Sequence, residues 1–397
     1  MEKACFSAWG FNNGPVRCAM KISDGDMTRT IPWAEIAGPL VTAEDAIARL
    51  DERLSRSPVH DGFVERFHFH DAVAVLWLEG ELVHVEDLVL HDAHMDIRTP
   101  THELTRAHAI LRARRQIFGN ATDWAIGRDG MRQLIGRGGG APPPRKGWEG
   151  KATPGPGMDP DETAETDGPH PLAEEFAAID AVLARSSAVL EGVEVEWPVR
   201  RQTTSERDPL VYDADWDEPG RLNDWRTLLD RTADLSPLLA AAVLWDAWED
   251  ISPLQHQPWL GTLLVAATLR QRRKTMAHLP ALNTGLRVIG RERRRHRDRT
   301  ERWLAFLNAV AEAAALGLKE HDRLVMAREQ MLRRTRNRRG NSKLPQLIDY
   351  VLSRPLVSSA MIEKELGLTT RGALNLVSEL NLREVTGRGR YRAWGIF

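Results

Sequence analysis

Cysteine is nearly absent from this sequence of 397 residues, which contains only Cys5 and Cys18. Two thiols cannot make a disulfide framework, and neither lies in a CxxC or Cys/His spacing that would bind zinc. The first residues lead into no long apolar run, so we expect no signal peptide, although Met27 is an alternative start. The most apolar stretch, residues 238–248, is too short to span a bilayer. These absences favour a soluble, cytoplasmic protein with no membrane partner.

Strand-like alternation of apolar and polar residues is also scarce until the last residues, so the sequence predicts a mainly α fold. We expect Thr42 to cap the first helix, a second helical region over 62–90, and a third helix from Thr101 to about Asn120. The helical pattern resumes over 172–190. It then continues from 221 to about 338, with breaks near Pro253, Pro258 and Pro280.

Composition divides the chain into segments. Residues 136–171 are rich in glycine and proline and poor in apolar side chains, which is typical of a linker. The glycines at 138–140 lack the GKS/T ending of a phosphate-binding loop, so we expect no nucleotide cofactor there. The predicted organisation is an N-terminal segment without clear pattern (1–40), a helical domain (41–135), the linker, a central helical domain (172–340) and a C-terminal domain (341–397).

Charge is distributed unevenly, although the net charge is only −2. Residues 287–397 contain 24 lysines and arginines against 12 acidic residues, whereas residues 1–286 contain 30 against 44. A basic end on an acidic body favours contact between that end and a polyanion. Two arginine-rich runs, 291–299 and 333–339, contribute most of this charge; each is also consistent with a solvated helix face.

The last fifty residues carry the most specific pattern. Apolar residues at helical spacing predict a helix over 344–353, and Ser358 or Ser359 is placed to cap a second helix ending at Leu366. Gly367 is a left-handed turn residue, and Thr369 or Thr370 caps a third helix over 371–380. Two helices joined by a short turn are typical of a helix-turn-helix, in which the second helix enters the major groove of DNA.

A β-hairpin is predicted after the third helix, with strands at 382–385 and 391–396 and a glycine-rich turn between them. The whole segment therefore predicts a winged helix-turn-helix. Arginine suits guanine edges and asparagine suits adenine edges, whereas arginines of the hairpin suit phosphates or the minor groove. The predicted DNA-binding residues are Thr369, Thr370, Arg371, Asn375, Arg388, Arg390 and Arg392. Winged helices also serve as protein-docking modules, which is the alternative.

Histidines are frequent in the N-terminal domain, at positions 68, 70, 84, 91, 94, 102 and 108. His91 and His94 flank Asp92, a combination that metal sites use. They fall near the end of a helix beside a loop, however, and no HExxH motif or facial triad occurs. We therefore interpret them as helix-end and surface histidines, and expect no metal and no other cofactor.

Two stretches resemble Fic-type proteins. Residues 69–90 (FHDAVAVLWLEGELVHVEDLVL) are similar to a helical segment in which Ile-Glu-Gly ends a helix, and Leu78-Glu79-Gly80 stands at that place. Residues 353–397 look like the winged helix that many such proteins carry at the C-terminus. The chain is also similar overall to an uncharacterised bacterial family that pairs a helical domain with a C-terminal helix-turn-helix. The resemblance implies a Fic-like helical scaffold for the centre of the chain.

The catalytic loop of Fic enzymes is not matched. That loop supplies a histidine base, an acid for Mg²⁺, and glycine amides with an arginine for phosphates, whereas 256–261 (HQPWLG) has neither the acid nor the arginine. Val75 stands where an autoinhibitory Ser or Thr is expected. We therefore predict a non-enzymatic, sequence-specific DNA-binding regulator that binds double-stranded DNA, with a homodimer as a further expectation. The alternatives are a divergent or inactive Fic-type nucleotidyl (AMP) transferase and a winged-helix interaction scaffold.

Overall fold

The computed structural model describes residues 31–96, 99–136, 216–336, 343–385 and 392–396. The helices and strands below belong to one compact unit, formed by residues 1–140 and 217–397. The predicted linker after Gly136 and the predicted helix at 172–190 lie outside the described residues. The mainly α fold is confirmed, because the sheet in the described part has three strands of only two or three residues each.

Five helices form the N-terminal part of this unit: α1 (Trp33–Ser55), α2 (His60–Glu79), α3 (Val85–Asp92), α4 (His102–Gly119) and α5 (Arg128–Leu134). The predicted third helix corresponds to α4, and the Thr101 hydroxyl oxygen caps it by accepting from the Leu104 N–H at 3.2 Å. The short helix α5 was not predicted.

The predicted start of the first helix is wrong. The helix begins at Trp33, and Thr42 lies inside it, where its hydroxyl donates to the Gly38 carbonyl at 3.1 Å. Ile36 and Leu40 are buried at helical spacing, so tertiary packing holds the first turns in place even though Pro39 lies within the helix.

The predicted helical region over 62–90 is two helices. Gly80 ends α2 with φ +90°, a left-handed conformation that glycine adopts without steric cost, and α3 starts only at Val85. The Leu78-Glu79-Gly80 triplet therefore forms a helix C-terminus.

Six helices follow from residue 218: α6 (Glu218–Arg231), α7 (Pro237–Ile251), α8 (Leu260–Gln271), α9 (Leu282–Leu286), α10 (Arg291–Arg294) and α11 (Arg299–Thr335). The predicted breaks are confirmed, because Pro253 and Pro258 lie between α7 and α8, and Pro280 precedes α9. The first half of α11 is buried through side chains such as Trp303 and Phe306, where it packs against α1, α7 and α9.

Helices from both sides of the predicted linker share one hydrophobic core. Phe69 of α2, Trp225 of α6, Leu264 of α8 and Phe306 of α11 are all buried in the same cluster. This shared core means that residues before and after the linker fold together, whereas the exact domain boundaries stay a prediction.

Candidate nucleic-acid interface

The C-terminal segment contains the predicted three helices, α12 (Leu344–Ser353), α13 (Ser359–Leu366) and α14 (Thr370–Leu380). Ser358 is the residue that caps α13, accepting from the Met361 N–H at 3.2 Å, and Thr369 caps α14 by accepting from the Gly372 N–H at 3.2 Å. Gly367 joins α13 to the turn with φ +59°. The apolar faces of the three helices are buried together, as sequence periodicity predicts.

A three-stranded antiparallel sheet completes this segment, with β1 (Val357–Ser358), β2 (Arg383–Glu384) and β3 (Ala393–Gly395) in the order β1-β3-β2. The predicted hairpin corresponds to β2 and β3, whose register pairs Glu384 with Trp394. The strand β1 was not predicted, because two residues are too few to show alternation. Arg388 and Arg390, at the tip of the predicted wing, lie outside the described residues.

One face of α14 is exposed to solvent. It is formed by Thr370, Arg371, Leu374, Asn375 and Ser378, which follow one another at helical spacing. Three of these residues are among the predicted base-contacting residues. Leu374 and Ser378 were missed, although their spacing from Arg371 and Asn375 would have found them. The face combines a guanidinium, an amide, two hydroxyls and a leucine, which is the kind of surface that reads base edges and thymine methyl groups.

Two predicted contact residues are already engaged within the domain. The hydroxyl oxygen of Thr369 serves as the helix cap, which leaves its hydrogen to donate. Arg392 donates to one carboxylate oxygen of Glu384 from both Nε (3.0 Å) and Nη2 (2.7 Å), and its guanidinium lies 5.3 Å from the Trp394 ring centroid. Hydrogen bonding to Glu384 raises the pKa of Arg392. Arg392 therefore already has a carboxylate partner, and contact with a phosphate would compete with Glu384.

The helix-turn-helix is fastened to the helical body through Arg66 of α2. This guanidinium is buried (1% exposed) and donates to the backbone carbonyls of Arg354 and Pro355, just after α12, and to Glu320 of α11 at 3.4 Å. Burial lowers the pKa of Arg66 to about 10, a shift that Glu320 partly opposes, so the group stays charged at neutral pH. Separating this buried charge from its acceptors is costly, so the contacts of Arg66 with the residues after α12 favour a fixed joint between α2 and the helix-turn-helix.

A second set of ion pairs surrounds this joint. Arg354 pairs with Glu65, Arg115 bridges Glu65 and Asp92, and His108 approaches Asp92 at 3.3 Å. Burial alone would raise the pKa of Asp92, but hydrogen bonds from His108 and Arg115 outweigh it and hold that pKa well below its usual range. The joint thus depends on an ionised carboxylate.

The end of α11 and the residue before α12 also contact the helix-turn-helix. Arg334 donates to the Leu380 carbonyl at the C-terminus of α14, and Lys343 donates to the Leu366 carbonyl at the C-terminus of α13. Cations at helix C-termini are favourable, because carbonyl groups there lack partners within the helix. Arg334 of the second arginine-rich run therefore helps to position the exposed helix, although its side chain is also open to solvent. Residues 337–339 of that run lie outside the described part.

The first arginine-rich run belongs to the body. Arg299 pairs with Asp246 of α7 at 3.2 Å, and Arg294 donates to the Ile289 carbonyl at 2.9 Å. Among the N-terminal histidines, His91 pairs with Asp96 at 2.9 Å. His68 is buried (2% exposed), and its Nδ1 has no hydrogen-bond partner in the described part of the chain, so its interpretation as a helix-end or surface histidine is wrong. In the described ranges, no group of three or more His, Cys, Asp or Glu side chains is arranged to hold a metal ion. None of the helices described is both long and apolar enough to cross a membrane.

Leu78 and Glu79 of the Fic-like triplet lie near 256–261, the segment that does not match the Fic catalytic loop. Leu78 and Glu79 line a cavity of about 130 Å³ together with Pro258 and Trp259, whereas His256 is exposed and does not line it. Burial raises the pKa of Glu79, although Arg106 opposes this shift. The Fic-type likeness stays a prediction.

Comparison with known proteins supports a DNA-binding C-terminus. Residues 344–397 match the family described as an HTH DNA binding domain, and residues 210–336 match one described as a protein of unknown function (DUF1612). Over 366 residues the chain is 48% identical to the uncharacterized protein y4cF of Sinorhizobium fredii (strain NBRC 101917 / NGR234), covering 90% of this chain and 96% of that protein. The C-terminal segment is therefore a helix-turn-helix DNA-binding domain.

Proposed function

This chain belongs to the same family as y4cF of Sinorhizobium fredii, and we propose that it is a sequence-specific DNA-binding protein that regulates transcription. The observation that carries the proposal is the exposed face of α14, where Thr370, Arg371 and Asn375 stand together on the second helix of a helix-turn-helix. Arg371 would bind a guanine edge and Asn375 an adenine edge, since each side chain can make two hydrogen bonds to that base.

Other residues would hold the backbone of the duplex. Arg388 and Arg390 are proposed to contact phosphates or the minor groove, and Arg392 would join them only where a phosphate displaces Glu384. Phosphate contacts orient the protein but carry no sequence information, so sequence preference is assigned to α14. A homodimer that binds two half-sites is part of the proposal, because single helix-turn-helix domains read short sites.

The test compares two duplexes by fluorescence anisotropy: the promoter fragment of the protein's own gene and a scrambled duplex of equal composition. Arg371→Ala and Asn375→Ala should each weaken binding to the preferred duplex by about 10- to 100-fold and leave the scrambled duplex nearly unaffected, since each bidentate base contact discriminates by roughly 1–3 kcal/mol. Arg49→Ala is the matched control, because Arg49 is an exposed helix arginine of the body that pairs with Asp45 one helical turn away.

A salt series separates base contacts from phosphate contacts. Arg388→Ala and Arg390→Ala should each weaken both duplexes alike and reduce the slope of log affinity against log salt by about one. Equal and feeble binding of both duplexes by the native chain would refute the proposal. It would favour protein docking, for which the exposed Leu374 is a suitable contact.

An enzymatic role related to Fic proteins is the second candidate, favoured by the cavity that Glu79 shares with Pro258 and Trp259. Transfer of a nucleotide moiety to a protein hydroxyl should then be detectable with labelled ATP and disappear in the His256→Ala variant. Absence of labelling by the native chain would remove this candidate.

A further inference from the structure

A groove of about 610 Å³ opens between α2, α9, α11 and the segment that follows Gly80. Its walls include four large apolar side chains that are open to solvent: Trp77 (40% exposed), Leu82 (72%), Val288 (55%) and Leu316 (37%). Phe67, Val73 and Val85 continue the same surface inward. Clustered exposed apolar side chains are uncommon on a folded surface and mark places where another molecule binds.

Charged groups stand beside this apolar surface. The Arg287 guanidinium lies 5.2 Å from the Trp77 ring centroid, and no carboxylate in the described ranges lies within ion-pair distance of it. Arg323 reaches Glu320 through Nη2 at 2.6 Å, whereas its Nε is buried without a hydrogen-bond partner. Both arginines line the groove, Arg287 without a partner carboxylate in the described ranges and Arg323 with Glu320 as its partner.

Four other titratable side chains, two histidines and two glutamates, line the groove. Burial lowers the pKa of His70 to about 4, with the nearby arginines adding to the shift, so His70 is neutral at physiological pH. Glu320 forms ion pairs with both Arg323 and Arg66, so its negative charge is already balanced by these two side chains. Glu86, at the start of α3, is the remaining carboxylate, and His84 lies just before it. When Arg66, which contacts Glu320 from outside the groove, is counted with Arg287 and Arg323, three guanidinium groups stand against two carboxylates, which leaves an excess of positive charge.

We propose that this groove binds a small amphipathic organic anion, with an aliphatic or aromatic body against Trp77, Leu82 and Leu316 and a carboxylate-type head group on Arg287 and Arg323. The apolar body buries surface that is otherwise exposed to water. The head group gains charge-assisted hydrogen bonds from Arg287, which has no partner carboxylate in the described ranges, and from Arg323, where it competes with Glu320.

The groove is connected to the DNA-binding segment through Glu320. This carboxylate accepts from Arg323 in the groove and from Arg66, whose guanidinium binds the carbonyls that follow α12. A ligand head group on Arg323 competes with Glu320, so Glu320 shifts toward Arg66 or releases it. Because α2 and α11 line the groove and also hold the helix-turn-helix, the ligand regulates DNA affinity. This step rests on the proposed function.

Binding is tested without DNA, by isothermal titration calorimetry of the full chain with octanoate, 1-naphthoate and the uncharged match 1-octanol. Octanoate should bind saturably at one site and at least about tenfold more tightly than 1-octanol, as expected for one charge-assisted contact. Arg287→Gln and Arg323→Gln should abolish that difference, and Leu82→Asp should weaken all three probes. Arg49→Gln is the matched control and should change nothing. Far-ultraviolet circular dichroism of each variant confirms that it is folded.

Several results would overturn the proposal: no saturable binding of either anion, equal affinity for octanoate and 1-octanol, or affinities that survive all three groove substitutions. Absence of ligand binding together with a Leu82→Asp change from dimer to monomer in sedimentation would assign the groove to a second copy instead. The regulatory step is measured separately, as a change in DNA affinity on adding octanoate that Glu320→Gln suppresses. Failure of DNA binding leaves the calorimetric result standing, so the two proposals fail independently.

Discussion

Replacing Asp71 with alanine would test the buried ionic cluster that joins the two parts of the helical body. The Asp71 carboxylate is fully buried and accepts from Asn283 N (2.9 Å), Asn283 Nδ2 (2.9 Å) and Thr284 N (3.1 Å), and it pairs with Arg114. Arg114 is equally buried and donates to the Leu279 carbonyl at 3.1 Å. One carboxylate thus fastens α2, α4 and the start of α9 to each other.

The expected cost follows from what the substitution leaves behind. Asp71→Ala leaves the buried guanidinium of Arg114 without its partner carboxylate, which costs about 3–5 kcal/mol. The substitution also removes the acceptor for three N–H donors. We therefore expect the free energy of unfolding to fall by about 5 kcal/mol. Urea unfolding followed by far-ultraviolet circular dichroism and by tryptophan fluorescence measures this change, and agreement between the two probes checks that unfolding is cooperative.

The control removes both charges at once. Asp71→Leu combined with Arg114→Met replaces the pair with apolar side chains and should recover part of the loss, since no unpaired charge remains. A loss below about 1 kcal/mol for Asp71→Ala would refute the reasoning, and so would a double variant that is less stable than the single one.

Two further predictions concern packing and pH. Gly285→Ala should destabilise the fold by roughly 3 kcal/mol or more, because an added Cβ would lie 1.9 Å from the Ala309 carbonyl oxygen. The matched control is Gly119→Ala, since nothing lies within 4 Å of a Cβ added at Gly119. Equal urea midpoints for the two variants would contradict this account. The lowered pKa of Asp92 means that its contribution to stability is present above its unfolded pKa of 3.8 and is lost as pH falls further. The urea midpoint should therefore fall as the pH is lowered from about 4 toward 2 and fall less in Asp92→Asn, whereas an unchanged slope in that variant would show that other carboxylates account for it.

Local signals in the sequence were sufficient for several elements. Thr369, one of the two predicted caps, caps α14, and Thr101, the predicted start of the third helix, caps α4, because a cap depends on residues within one helical turn. Helical periodicity likewise identified the three C-terminal helices and the exposed positions of Arg371 and Asn375. Leu374 was missed because the prediction considered only polar residues on that face.

Features that depend on distant residues could not be predicted in this way. The helix α1 runs through Pro39 because Ile36 and Leu40 are buried by other helices, which no local pattern reports. The joint made by Arg66 links residues almost three hundred positions apart. Arg334 belongs to a run that the sequence assigned to a polyanion or to a solvated helix face, and no local pattern singles out Arg66, yet both side chains donate to carbonyls of the DNA-binding segment.

The length of the long helix α11 determines the direction in which the exposed face of α14 points. Its 37 residues correspond to about 55 Å of continuous helix, anchored in the body at Trp303 and linked to α14 at Arg334. Each inserted residue would turn everything beyond it by about 100°, so a single insertion would point Arg334 away from α14. Relatives that lengthen or shorten this helix must do so by whole turns, or else rebuild the contact between body and recognition helix.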